Sequence, residues 1–185
     1  MTLLLIGIFL WVAAHLFKRV APAQRRALQD RMGKASKGLF AGILVLAVVL
    51  MVIGYKMAPV DPVYDPPVWG RHLNNLMMVI AVALFGLGKS KSRLRGTLRH
   101  PMLWGMVTWA VAHLLANGDL ASVVLFGSML VWALVEMPLI NAQEPAPPPY
   151  QGSVKGDIRL AVITVVVFIV IVLIHGWVGP WPVGG

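Results

Sequence analysis

The stretch Arg99–Asp119, RHPMLWGMVTWAVAHLLANGD, decides how this chain is read. It is apolar and helix-length, yet it holds two histidines, two tryptophans, an Asn and an Asp. Polar groups inside a bilayer are costly, so they mark a site or a contact between helices. The rest of the chain says that a bilayer is the setting. Of its 185 residues, 58% are hydrophobic and only 12% charged, the balance of an integral membrane protein. Six apolar runs reach or approach the roughly 20 residues needed to cross a membrane. They are Leu3–Phe17, Gly38–Met57, Trp69–Leu87, Met102–Ala116, Leu120–Val135 and Ile158–Trp177. The expected fold is an all-α membrane bundle of about six transmembrane helices, a single domain over 1–185. The first, fourth and fifth runs are short and should extend into their flanks or sit where the membrane is thin. Asn117-Gly118-Asp119 reads as a tight turn, making helices four and five an antiparallel hairpin.

Outward from this stretch, the basic residues set the orientation. Lys18–Lys37 holds seven Lys/Arg and Lys89–Arg99 five, while the third connector adds Lys155 and Arg159. These 14 of 16 basic residues fall on alternate connectors, hence on one face. The other face has Lys56 and Arg71 with Asp61, Asp65 and Asp119. The positive-inside rule makes the basic face cytoplasmic and puts both termini outside, which is the periplasm, with the chain in the inner membrane, if the source is bacterial. The net charge of +9 is then a topology signal. Basic residues that flank helix ends without interleaved aromatics do not form a nucleic-acid surface. The first helix carries its positive charge after its apolar core, the reverse of a secretory signal, and reads as an uncleaved anchor. The absence of cysteine excludes disulfides, thiolate ligands and iron–sulfur clusters. Walker, Rossmann and zinc-helix motifs are absent.

The connectors are distinct. Lys18–Lys37 reads as a basic amphiphilic segment with a short helix on the membrane surface. Ala58–Pro67, APVDPVYDPP, is an extended loop. Gln143–Gly152, QEPAPPPYQG, is a polyproline-like linker. The last helix is nearly pure Val/Ile from Val162 to Ile174, which places it at the lipid-facing edge, with Trp177 and Trp181 as interfacial anchors. No internal repeat stands out.

The candidate chemistry lies in the histidines. His100 and His113 are 13 residues apart, roughly 20 Å along a helix, and cannot share one metal ion. Trp109, His113 and Asn117 recur at i, i+4 and i+8 as a polar-aromatic stripe. Gly105, Ala112 and Ala116 form a small-residue ridge for close helix packing. His15 and His100 lie toward the cytoplasmic side, and His72, His113 and His175 toward the outside. Neutral imidazoles projecting into a bundle suit a haem b, with Met77, Met78, Met102, Met106 and Met129 available as lining. The same methionines also serve as core filler. His175, beside Trp177, reads as an interfacial group. His100 reads as a helix-start residue before Pro101. Arg71, His72, Asn74 and Asn75 read equally as a polar helix cap, and Glu136 as a partner for the basic connectors. His113 is deeper, on an otherwise apolar helix, and reads as functional.

The pattern R-H-P-x-x-x-G followed by W-A-x-A-H-L-L-A-N-G-D, Arg99–Asp119 here, resembles the signature of NnrU-domain proteins, bacterial membrane proteins associated with denitrification and nitric oxide metabolism. The resemblance covers nearly the whole chain. It extends to the His near the end of the first helix, the His opening helix three, the apolar hairpin after NGD, and Glu136 before the linker. The family is similar to plant and cyanobacterial zeta-carotene isomerase, a haem b membrane enzyme that isomerises a carotenoid double bond by redox-dependent haem ligation. The resemblance therefore implies haem b with His15 and His113 as axial ligands. It further implies a polyene substrate or a nitrogen-oxide respiratory partner within the lipid bilayer, either as an enzyme or as a non-catalytic assembly factor. His72 is the substitute ligand, being nearer to His113 in depth, and His100, Asn117 and Trp109 complete the candidate cofactor set. The R-H-P opening, Arg99, His100, Pro101 and Gly105, also resembles the cofactor region of isoprenylcysteine methyltransferase-like enzymes that use S-adenosylmethionine. There, Leu103 replaces the usual Tyr, and the later acidic pair is missing or scrambled.

Overall fold

The computed structural model describes residues 1–179 and 181–182. Among them the chain is all-helical. Its helices are α1 (Thr2–Val20), α2 (Pro22–Met32), α3 (Ala35–Lys56), α4 (Gly70–Leu87), α5 (Pro101–Ala116), α6 (Leu120–Gln143) and α7 (Val154–Val178), with one 3₁₀ turn at Arg93–Gly96. Each of the six apolar runs forms one helix. Five helices, α1, α3, α4, α6 and α7, are long and apolar enough to cross a membrane. The sixth, α5, has 16 residues, about 24 Å of helix against a hydrocarbon core of about 30 Å. The short first and fifth runs do extend into their flanks: α1 continues to Val20 and α6 to Gln143. Pro138 lies inside α6 on its exposed side, where the missing N–H costs least.

The surface helix expected in the first basic connector is α2. Pro22 opens it at the first helical turn, where an N–H has no helical partner anyway. Gly33 closes it with φ +54, the one left-handed residue among those described.

The chain divides into two compact units, Met1–Val63 with Asp119–Gln143, and Tyr64–Gly118 with Glu144–Gly185. In the first, α1 and α3 run antiparallel and close. Gly54 takes the backbone of Leu3 and Leu4 against its bare Cα, and Gly7 does the same for Ala47 and Met51. Small residues let helix backbones approach where lipid gives no hydrophobic drive to associate. Leu4 and Ala47 are fully buried there, and α6 adds Phe126, Met129, Trp132, Ala133 and Met137 to this core. At the start of α6, Asp119 Oδ1 accepts from Ser122 N at 2.9 Å and Oδ2 from Ser122 Oγ at 2.6 Å, a helix N-cap. The Tyr55 hydroxyl then donates to Ser122 Oγ at 2.8 Å.

In the second unit α4 and α5 form a similar antiparallel pair. Gly105 packs on Ala81 O and Phe85, and Gly70 on Leu115 O. α7 lies along α4, with Gly156 and Thr164 as its buried residues, so the Val/Ile helix is exposed along most of its length. Trp177 and Trp181 are exposed, as interfacial anchors should be. The start of α7 is tied to the 3₁₀ turn, where Asp157 accepts from Ser92 Oγ, Arg93 N and Arg93 Nε at 2.6–2.8 Å.

α5 packs on α4 and α6 on α1, each within its own unit, and the connection between them is not the tight turn that the hairpin reading expected. Asn117 is extended, with φ −134 and ψ 122. The proline-rich loop supplies the partners that an isolated turn would have to find in itself. Tyr64 N donates to Gly118 O at 3.1 Å, Leu120 N donates to Asp61 O at 2.8 Å, and Pro62 and Asp119 form an antiparallel bridge.

Candidate functional site

Two pentapeptides with almost the same letters mount the two histidines named as haem ligands. Trp11–His15 reads WVAAH on α1, and Trp109–His113 reads WAVAH on α5. In a helix, residues four apart stand one above the other, and side chains lean toward the N-terminus. Each His therefore lies over its Trp and reaches the Trp carbonyl. The ring centroids are 4.4 Å apart for Trp11 and His15, and 5.0 Å for Trp109 and His113. His15 Nδ1 is 2.9 Å from Trp11 O, and His113 Nδ1 is 2.8 Å from Trp109 O. A carbonyl only accepts, so in each ring Nδ1 carries the proton and donates. Nε2 then holds the lone pair, as in a neutral imidazole prepared to bind a metal or take up a proton.

The surroundings of the two rings differ. In the first unit His15 lies between two indoles, with Trp132 of α6 at 4.6 Å and the two tryptophans edge-on to one another at 5.5 Å. One turn further along both helices, Arg19 Nε and Glu136 Oε1 form an ion pair at 3.3 Å, with both side chains about 95% buried. Gln143 Nε2 donates to Arg19 O at 2.8 Å and closes this end. Trp11, His15 and Arg19 thus form an i, i+4, i+8 row on α1 that meets Trp132 and Glu136, i and i+4 on α6. Three buried polar atoms in the row have no hydrogen-bond partner among the described residues: Trp11 Nε1, Trp132 Nε1 and Glu136 Oε2. Unsatisfied buried polar atoms are rare enough to need an explanation. Beside them a groove of about 530 Å³, lined by Ile8, Val12, Leu16, Val131 and Trp132, runs along the seam of α1 and α6. It is apolar and open along its length.

In the second unit His113 sits in the last turn of α5. Asn117 Nδ2 and Asn117 N both donate to His113 O at 2.9 Å, so this amide caps the helix, while the Trp109 carbonyl is the group that meets the ring. The Tyr64 hydroxyl donates to Asn117 O at 2.8 Å and also meets Leu114 O. His175, near the end of α7, lies within electrostatic range of His113. An apolar slot of about 260 Å³ between α4 and α7 is lined by Val82, Phe85, Leu160 and Thr164, and Thr164 Oγ1 is buried without a partner among the described residues.

The other candidates are placed as follows. His100 is the N-cap of α5, with φ −124, and its carbonyl accepts from Trp104 N. His72 is exposed in the first turn of α4. Met129 is buried in the first unit. Met77, Met78, Met102 and Met106 belong to the second, where Met102 is exposed. Glu136 does pair with a residue of the first basic connector, Arg19. Among the described residues no three His, Asp or Glu side chains gather into a metal cage. Sequence reasoning missed Trp11, Arg19 and Trp132 as neighbours of His15, and Tyr64 as the clasp on α5. The available signal was the four-residue spacing of Trp11, His15 and Arg19 and the near-identity of the two pentapeptides.

Five long apolar helices and two imidazoles mounted within apolar segments define a multi-pass membrane protein. The chain belongs to the NnrU family, a family linked to denitrification: the family model described as NnrU protein matches residues 3–182, through both units. No curated protein and no solved structure matches the chain.

Proposed function

We propose that this protein binds haem b in the inner membrane and serves nitrogen-oxide metabolism, with His113 and His15 as the candidate imidazoles that would hold it. The observation that carries this reading is the twin mount: each ring is fixed by Nδ1–H donation to its own helix, which leaves Nε2 as the basic nitrogen. Ligating histidines are held in this manner in metal sites, because the second nitrogen's partner sets tautomer and orientation. The residues around His15 also fit a bound group. Two indole N–H donors and one carboxylate oxygen are buried without partners, and an apolar groove lies beside them. The haem would supply a redox-active iron with exchangeable ligation. The chain's own part is to hold the imidazoles, exclude water and keep the surroundings apolar. A second reading, cis–trans isomerisation of a polyene, is favoured by the α1–α6 groove, whose lining suits an extended hydrocarbon.

The test is the visible spectrum of the full chain purified after haem-replete expression, oxidised and reduced. Stoichiometric b-type bands are the expected result, and a colourless protein would overturn the reading. Turnover of a carotenoid by the haem-loaded protein separates the isomerase from the nitrogen-oxide reading. The proposed orientation has its own test. The chain lacks cysteine, so single cysteines at Lys34, Arg93 and Lys155 report sidedness directly. All three should be protected from a membrane-impermeant thiol reagent in right-side-out vesicles, and labelling of any one would reverse the assignment.

A further inference from the structure

The positive-inside rule accounts for where the basic residues lie, but not for what their side chains do, and the two large basic connectors differ in this. In Lys89–Arg99 the arginines are used by the fold. Arg93 pairs with Asp157 at 2.6 Å. Arg95 lies 4.3 Å over the Tyr150 ring and donates to Ser90 O, and Arg99 donates to Glu144 O. In Lys18–Lys37 only Arg19 and Arg25 are so used. Arg19 is held by Glu136. Arg25 donates to Ser36 Oγ at 2.7 Å and stacks 4.4 Å over Phe40, which fixes α2 against α3. The side chains of Arg26, Arg31, Lys34 and Lys37 are exposed and have no hydrogen-bond or ion-pair partner among the described residues. The one acid in this segment is Asp30.

We propose that α2 and the start of α3 form a docking surface for the headgroups of anionic phospholipids, with Arg26, Arg31, Lys34 and Lys37 as the phosphate contacts. The location selects lipid over a soluble acidic partner. α2 has 11 residues, none of them buried, and it is tied to membrane-crossing α1 by Ala21 alone and to α3 by Gly33 and Lys34. It therefore lies at the level of the headgroups, where a lipid phosphate is the nearest anion. Arg25 and half-buried Leu28 face inward, which turns the other charges outward in the manner of an interfacial helix. Guanidinium groups match phosphate oxygens with two parallel donors, and the lysines add point charges.

The experiment reconstitutes the full chain in phosphatidylcholine vesicles with a trace of spin-labelled phosphatidylglycerol or phosphatidylcholine, and reads the motionally restricted fraction of each label. Wild type should prefer the anionic label about fivefold at low salt, since a basic residue near an anionic surface is worth about that factor. Arg26→Gln/Arg31→Gln/Lys34→Gln/Lys37→Gln should bring the ratio close to unity, whereas Lys89→Gln/Lys91→Gln, which removes exposed lysines outside this surface, should lower it clearly less. No preference in wild type, or an unchanged preference in the fourfold variant, overturns the proposal. Should the fourfold variant lose its helical circular dichroism, the wild type in about 1 M salt decides, because exposed charges are then screened within about 3 Å. A preference that survives that salt overturns the proposal. Abolition by inorganic phosphate at constant ionic strength would assign the surface to free phosphate and overturn the lipid assignment. None of these readouts depends on haem.

Discussion

WVAAH on α1 and WAVAH on α5 place a histidine in the same way over a tryptophan, yet the two mounts are held by different forces. The first is held by tertiary packing: a second indole, Trp132, and a buried Arg19–Glu136 pair on a neighbouring helix. The second lies in a last helical turn and is held by a connector, through Tyr64 and Asn117 on the carbonyls of α5. The local instruction, Trp four residues before His, builds the tautomer in both cases. What surrounds Nε2 is set by partners far away in the chain. One local device in two settings should respond differently when each setting is disturbed.

The largest difference should come from Glu136→Ala. It leaves the Arg19 guanidinium buried without its counter-charge, a loss on the order of 3–5 kcal/mol. Thermal unfolding of the purified protein should show a steep loss of stability. Nothing in the second mount has such an exposure to a single deletion, and a wild-type melting curve for Glu136→Ala would mean that the pair is not what holds the first.

Helix approach should come next. At Gly54 an added Cβ would meet the backbone of Leu3 and Leu4, which cannot move aside, whereas at Gly105 it would meet Ala81 O and Phe85 at 3.2 Å. Gly54→Ala should cost about 1–3 kcal/mol as overpacking, and Gly105→Ala clearly less. Equal losses in denaturant titration would remove the contrast between these two glycine contacts. The smallest effect belongs to Tyr64→Phe, which deletes the hydroxyl at the end of α5 for about 1 kcal/mol, the usual net worth of a hydrogen bond. Hydrogen exchange should rise at the last turn of α5 and not in α1. Faster exchange in both helices would show that the mounts are not held independently.

Much of this was legible in the sequence, for identifiable reasons. Continuous apolar runs name the helices because a bilayer leaves backbone groups no partner outside the helix. Pro22 and Gly33 bracket α2 by their own backbone preferences. The Trp109–His113–Asn117 stripe was visible as a spacing, and α5 does stack His113 over Trp109, while Asn117 lies beyond the helix end in extended backbone. Pairings that depend on which helices meet were not legible. Charge sign alone directed Glu136 to the basic connectors, but the choice of Arg19 needs the α1–α6 contact. The five methionines looked like one group and fall in two units. Asn117 was counted among the candidate cofactor residues, but its amide caps α5 on His113 O, and the i−4 carbonyl of Trp109 meets the His113 ring. The twin pentapeptides escaped notice because they are far apart and exchange Val and Ala between their inner positions, so identity survives only at the Trp, the second Ala and the His.

The central claim is that the W-x-x-x-H mounts present Nε2 to a haem iron, and His113→Gly with added imidazole tests it most directly. The account predicts that this variant, expressed with ample haem, loses the b-type spectrum of the wild type and regains it when imidazole is supplied, with His175→Ala leaving at most a small shift. A His113→Gly protein with wild-type haem content and spectrum before any imidazole is added would contradict it.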